Sequence, residues 1–399
     1  MPIMTSRLRP PQTRSTDVQR TSLIPTLDHA VSAHACVILS APAGSGKTTT
    51  LAQWSRSTTM SVAWLQLTED INHTQTFTAY LFASLESYLP VHVLTALQSH
   101  GDHLNSLAIH LSELLEGTQA PFVLVLDDYH VIDNDLIYTF IHALIDNLPP
   151  HAHLIISTRI DPPLPLAVMR AKRTLVEFRL DALRFSNSEA ASFLAQGMSH
   201  TLDDAQVQRL TDKVEGWATG LQLAALSLQR QMDISEFIDT FTGTHRHVFD
   251  YLLDEVIARQ STDLQQFMLM TAILEELCSE LAQAVTGMDG APILRYLDDN
   301  NLFIVALDEQ RTWYRYHHLF RDVLLHQLHR QQSDNLPELH RRAAIWYREN
   351  DLPEQALTHS VAANDYALAA EIGQAIADGR KRTVRWYTDG IFCESYWTL

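Results

Sequence analysis

The stretch Ala41-Pro42-Ala43-Gly44-Ser45-Gly46-Lys47-Thr48-Thr49 constrains this chain more than any other. It follows directly on the apolar run Ala35–Ser40 and leads into a helical pattern over Thr48–Ser55. Gly44 and Gly46 let the backbone curl so that successive N–H groups face an anion. The helix that follows brings its positive end to the same spot. Lys47 supplies a point charge for the β- and γ-phosphates, the Thr48 hydroxyl suits Mg²⁺, and Ser45 and Thr49 complete the loop. Such loops usually open with Gly, and here Ala41 stands in that place. A strand–loop–helix of this composition predicts a triphosphate cradle; the alternative is a glycine-rich turn that binds nothing.

Two further strand ends carry complementary chemistry. The apolar run Phe122–Leu126 ends in Asp127-Asp128, and buried strands rarely end in paired acids without a cation or a catalytic duty. Asp127 is expected to hold Mg²⁺ through water and Asp128 to orient or deprotonate an attacking water. The run His153–Ile156 is followed by Ser157-Thr158-Arg159, and Arg159 could reach the γ-phosphate. An ordinary solvated strand end, and an Arg159–Asp161 surface pair, are the competing readings. Lys/Thr, Asp/Asp and Arg delivered to one sheet edge predict a P-loop nucleoside-triphosphatase domain.

The rest of the first half agrees. Ser61–Leu67 and Thr174–Leu180 add strands, and helix-length patterns lie between the runs at Thr74–Tyr88, His103–Glu116 and Asn134–Asn147. Short apolar strands alternating with helices predict a parallel sheet buried on both faces. From Ser186 the strands nearly vanish. Ser186-Asn187-Ser188-Glu189 has the form of a capping box, and a series of helical patterns follows. Leu302–Leu307 and Trp313–Tyr316 predict a hairpin among helices, which fits a winged helix. Pro337–Asn350 and Pro353–Ala363 predict a helix pair, one copy of a solenoid repeat. The expected organisation is a nucleotide-binding domain at 1–185, a helical lid at 186–247, a winged-helix-like domain at 248–332, the start of a helical repeat region at 333–372, and an atypical tail at 373–399. The tail holds a basic cluster, Arg380, Lys381, Arg382 and Arg385, beside Trp386, and reads as an aberrant terminus.

Composition narrows the function classes. A net charge of −18 argues against coating nucleic acid, which needs Lys and Arg on the phosphates. Three cysteines are too few and too scattered for a disulfide framework or a thiolate zinc site, and the 20 histidines show no metal-ligand spacing. No apolar run is long enough to span a bilayer and no secretory leader is evident, so the expected compartment is the cytoplasm.

The loop with Gln53-Trp54 resembles that of the signal-transduction ATPases with numerous domains, in particular the MalT-like large LuxR-type regulators. The pattern continues in Leu126-Asp127-Asp128-Tyr129-His130, in Ser157-Thr158-Arg159 through Leu166, and in Gly216-Trp217-Ala218-Thr219-Gly220-Leu221. It ends in Tyr251–Val256 and Trp313–Asp322, so the resemblance covers roughly residues 15–372. It implies a nucleotide-binding domain, a small helical domain and a winged helix that closes over bound nucleotide. Gly216–Leu226 is similar to the motif that lines the adenine, although the usual Gly-x-Pro is absent; packing of a helix start is the competing reading. Tyr316-His317-His318 is similar to a Met-His-Asp motif whose histidine touches the β-phosphate of ADP, which falls on His317, with a structural histidine as the alternative. Arg20 stands where the family places an adenine-side arginine.

The resemblance implies a slow ATPase switch using ATP/ADP and Mg²⁺, closed with ADP and self-associating with ATP. The DNA-binding helix-turn-helix of such regulators is not recognisable here, so the expectation is a switch portion without direct DNA binding, its inducer unknown. A stand-alone ATP-dependent scaffold for a protein partner, a P-loop kinase and an inactive fragment are the other readings.

Overall fold

The computed structural model describes residues 3–13, 17–89, 104–118, 120–197, 202–228, 233–377, 387–388 and 391–392. The basic cluster around Trp386 lies outside them. The chain packs as two units that divide between Ile238 and Asp239.

The first unit is built on five parallel strands: β1 (Cys36–Ser40), β2 (Ser61–Gln66), β3 (Phe122–Asp127), β4 (Ala152–Thr158) and β5 (Leu175–Phe178), in the order β2-β3-β4-β1-β5. Every residue of β1, β3 and β4 is buried, as continuous apolar runs require when both faces are covered. Alternation along β3 divides the core. Leu124 and Leu126 face a cluster with Phe77, Leu111 and Phe140, from helices α3 (Thr74–Leu85), α4 (Leu104–Thr118) and α5 (Asp135–Asn147). Val123 and Val125 face Leu27, Val31, Leu51 and Trp54, from α1 (Leu23–Ala33) and α2 (Lys47–Ser57). After β4 come α6 (Leu166–Ala171), then β5 and α7 (Leu180–Leu183). Helices α8 (Asn187–Gly197), α9 (Asp204–Lys213) and α10 (Ala218–Leu228) follow.

The predicted strands all form. β4 runs to Thr158, two residues past its apolar run, because Ser157 and Thr158 continue the pairing with β1. Helix α1 is one the strand-and-helix pattern does not include, although Leu23, Leu27, Ala30 and Val31 fall at helical spacing; burial of that face against the sheet stabilises it. The capping box at Ser186 is present. Glu189 N–H donates to Ser186 Oγ (3.3 Å), and Ser186 N–H donates to Glu189 Oε2 (2.9 Å).

Helix α11 (Ile234–Thr240) spans the division between the units. In the second unit α12 (Arg246–Leu252) passes into a π-helical turn at Leu253–Ile257, where the sequence pattern predicts one continuous helix over Phe249–Ala258. Helices α13 (Thr262–Thr271), α14 (Ser279–Thr286) and α15 (Gly290–Asp299) precede a hairpin of β6 (Ile304–Ala306) and β7 (Tyr314–Tyr316), and α16 (His318–Gln332) leaves β7. The Tyr316 and Thr271 hydroxyls meet at 2.8 Å, tying the hairpin to α13. The predicted helix pair forms as α17 (Leu336–Glu349) and α18 (Pro353–Ala362), and a third helix, α19 (Tyr366–Ala377), packs beside α18. It begins just after Asp365, whose side chain accepts from Leu368 N–H (3.1 Å), without the proline that opens the other two. Among the described residues no helix is long and apolar enough to cross a membrane.

Candidate nucleotide-binding site

Parallel α/β sheets bind ligands at the carboxyl ends of their strands. Here β1 feeds the loop Ala41–Gly46 into α2, while neighbouring β4 and next-door β3 end at Arg159 and Asp127-Asp128. These ends line a cleft of about 370 Å³, within the range of small-molecule sites. Gly44, Ser45, Gly46, Lys47, Thr48, Thr49, Asp128, Arg159 and Arg20 all line it. Asp127 is not part of this lining; it is buried at the end of β3.

Gly44 and Gly46 take φ of +74° and +84°, the left-handed region the curl requires. Lys47 is buried and its Nζ donates to Ala41 O (2.7 Å) and Pro42 O (3.0 Å). Burial, helped by nearby Arg159, brings its ammonium down to about 8, while Asp128 and Asp127 pull the other way. The Thr48 hydroxyl donates to Asp127 Oδ1 at 3.0 Å. Asp127 is fully buried, and burial with the charge of Asp128 lifts its carboxyl to about 6, against the opposing pull of Ser157, Thr48 and Lys47. A hydroxyl and a carboxylate side by side are hard oxygen donors that fit Mg²⁺ arriving with phosphate oxygens. Among the described residues no group of three or more His, Cys, Asp or Glu side chains could hold a metal ion by itself.

Asp128 adopts φ +60°, a conformation few non-glycine residues take, and lines the cleft. Gln66 Nε2 donates to its Oδ2 at 3.4 Å, and His130 Nδ1 stands 4.0 Å from its Oδ1. Asp161 is claimed by Arg179, which donates to both of its oxygens at 2.6 and 2.7 Å, and by the Ser40 hydroxyl at 2.8 Å. Arg159, which follows β4, lines the cleft near Lys47.

Arg20 is buried in a cluster of its own. Its guanidinium lies 4.7 Å from the centre of the Phe185 ring, donates to Glu189 Oε1 (3.0 Å) and donates to Arg184 O (3.0 Å). Gln53 fixes the approach to Arg20: its Nε2 donates to Val18 O (2.7 Å) and its Oε1 accepts from Arg20 N–H (3.3 Å). Neither Glu189 nor Gln66 was legible as a site residue, since their partners are 169 and 62 residues away. His317 belongs to the second unit, at the cap of α16, where its buried ring meets Phe303 edge-on at 5.8 Å.

Fold and site together define a P-loop ATPase domain. Residues 17–157 match the AAA ATPase domain, and residues 253–336 match the MalT winged helix domain. The chain is 31% identical over 377 residues to the HTH-type transcriptional regulator MalT of Cronobacter sakazakii, covering 93% of this chain and 42% of that protein. It is 31% identical over 347 residues to the serine/threonine-protein kinase PknK of Mycobacterium tuberculosis, covering 84% of this chain and 31% of that one. The Walker-type ATPase PABY2304 of Pyrococcus abyssi shares the fold, with a TM-score of 0.56 at 15% identity over 80% of this chain and 99% of that one. The chain thus carries an ATPase domain and a MalT-type winged-helix domain, and is similar to MalT over nearly all of its own length. It spans less than half the length of the curated relatives it matches.

Proposed function

We propose that the chain is an ATP-binding, slowly hydrolysing switch that serves the regulation of transcription in the cytoplasm. The convergence of Lys47, Thr48, Asp128 and Arg159 on one strand-end cleft, with buried Asp127 bonded to Thr48, is the observation that carries this reading. Lys47 now bonds two neutral carbonyls; a triphosphate would offer it charged acceptors, which make hydrogen bonds roughly twice as strong. Thr48 and Asp127 would hold Mg²⁺, which when bound neutralises charge on the phosphates. Asp128, held by Gln66, orients or deprotonates the attacking water, and Arg159 senses the γ-phosphate. By the family resemblance, His317 is the histidine that meets the β-phosphate of ADP. ATP favours an open form that self-associates, and hydrolysis resets it. A full reversal of such a switch, from 1:99 to 99:1, needs about 5.5 kcal/mol of differential binding.

Lys47→Ala should abolish calorimetric binding of both ATP and ADP; unchanged affinity would overturn the site. Asp128→Ala should keep ATP bound while slowing phosphate release about 10²-fold or more. Wild-type turnover in that variant would remove Asp128 from the mechanism. Light scattering should show growth in particle mass with ATP and none with ADP, and a mass indifferent to nucleotide would favour a constitutive scaffold.

A further inference from the structure

The segment Gly216-Trp217-Ala218-Thr219-Gly220 opens α10, and it does more than start a helix. The fully buried Trp217 indole N–H donates to Ala43 O at 3.1 Å. The Thr219 backbone N–H donates to Gly44 O, also at 3.1 Å. Together with Lys47 Nζ on Ala41 O and Pro42 O, and the Ser45 hydroxyl on Pro42 O (2.9 Å), these bonds occupy the carbonyls of residues 41–44 in turn.

In a planar trans peptide the C=O and the following N–H point in opposite directions, and the described residues contain no cis bond. Drawing the carbonyl of Ala43 toward Trp217 therefore turns the N–H of Gly44 the other way, and drawing that of Gly44 toward Thr219 does the same for Ser45. These are donors of the phosphate-binding face. Two glycines shape the clamp. Gly216 has φ +67°, and a Cβ there would lie 2.8 Å from Phe185 O, whose own N–H donates to Gly216 O (2.8 Å). A Cβ on Gly220 would lie 2.7 Å from the Trp217 ring. The first holds the turn against the residue beneath Arg20; the second leaves room for the indole across the helix.

We infer that Trp217, seated between these glycines, is a positioning residue that orients the peptides of the phosphate loop and so sets affinity for the β-phosphate. This rests on the nucleotide-binding reading above. Trp217→Phe keeps a ring in the pocket and removes the donor. Gly220→Ala keeps the indole and pushes it aside. Calorimetric titration with ADP and with AMP, alongside the melting temperature of the nucleotide-free protein, tests the role.

In both variants the ADP Kd should rise about five- to tenfold, the worth of one hydrogen bond, while the AMP Kd stays near wild type. Trimming or displacing the buried indole also lowers the melting temperature, and the comparison of ADP with AMP separates that cost from the effect on the loop. The ratio of the two affinities therefore falls. Equal weakening toward ADP and AMP, or ADP binding as tight as wild type, would overturn the inference. A wild-type protein that binds neither nucleotide would instead overturn the assignment of the cleft itself.

Discussion

Asp127 shows what the site costs the fold at the scale of one residue. Its carboxyl, lifted to about 6 from an ordinary 3.8, is ionised at neutral pH inside a buried setting. Between those two values the native state binds more protons than the unfolded chain, so this group lowers stability as pH rises through the window. Asp127→Asn keeps an oxygen to accept the Thr48 hydroxyl and removes the charge. Its melting temperature without nucleotide should exceed that of wild type at pH 7, by an amount equivalent to about 2–3 kcal/mol, and the gap should close as pH falls to about 4. A gap that is constant from pH 4 to 7 would contradict the lifted carboxyl. The same variant should bind Mg²⁺–nucleotide poorly, a trade of stability for function that binding sites commonly show.

Secondary-structure elements are joined here by side chains with two duties. Glu189 caps α8 with one oxygen and neutralises Arg20 with the other. Removing it strands a buried guanidinium, so Glu189→Ala should destabilise the first unit by about 3 kcal/mol or more, whereas Ser186→Ala, losing only a cap, should cost about 1 kcal/mol. Chemical denaturation distinguishes the two; similar costs would show that the ion pair is not the dominant duty. The capping box itself was legible, because it is local. The second partner of Glu189 was not, because no spacing connects residue 20 with residue 189. Gln66 is hidden for the same reason: it reads as the polar end of a strand until pairing sets it opposite Asp127.

For the whole molecule, nucleotide binding should act at least on the first unit, where all residues lining the cleft reside. ADP at a hundredfold excess over its Kd should add about 2.7 kcal/mol to that unit's stability. Scanning calorimetry should show a transition moved upward by ADP in wild type and fixed in Lys47→Ala. An identical shift in both would mean that ADP acts elsewhere.

The sequence by itself determined the parallel sheet, the phosphate loop, the paired acids and the trailing arginine, since each is written in contiguous residues whose chemistry is local: apolar runs, glycines before lysine, charges at strand ends. It also carried the winged-helix hairpin and the first helix pair of the C-terminal region. Tertiary structure alone decided that Arg179 takes Asp161 and that Arg20 is held by Glu189 of α8. It alone set Trp217 against the loop carbonyls. Those outcomes depend on which surfaces meet after the chain closes on itself, and competition among partners distant in sequence leaves no periodic trace along it.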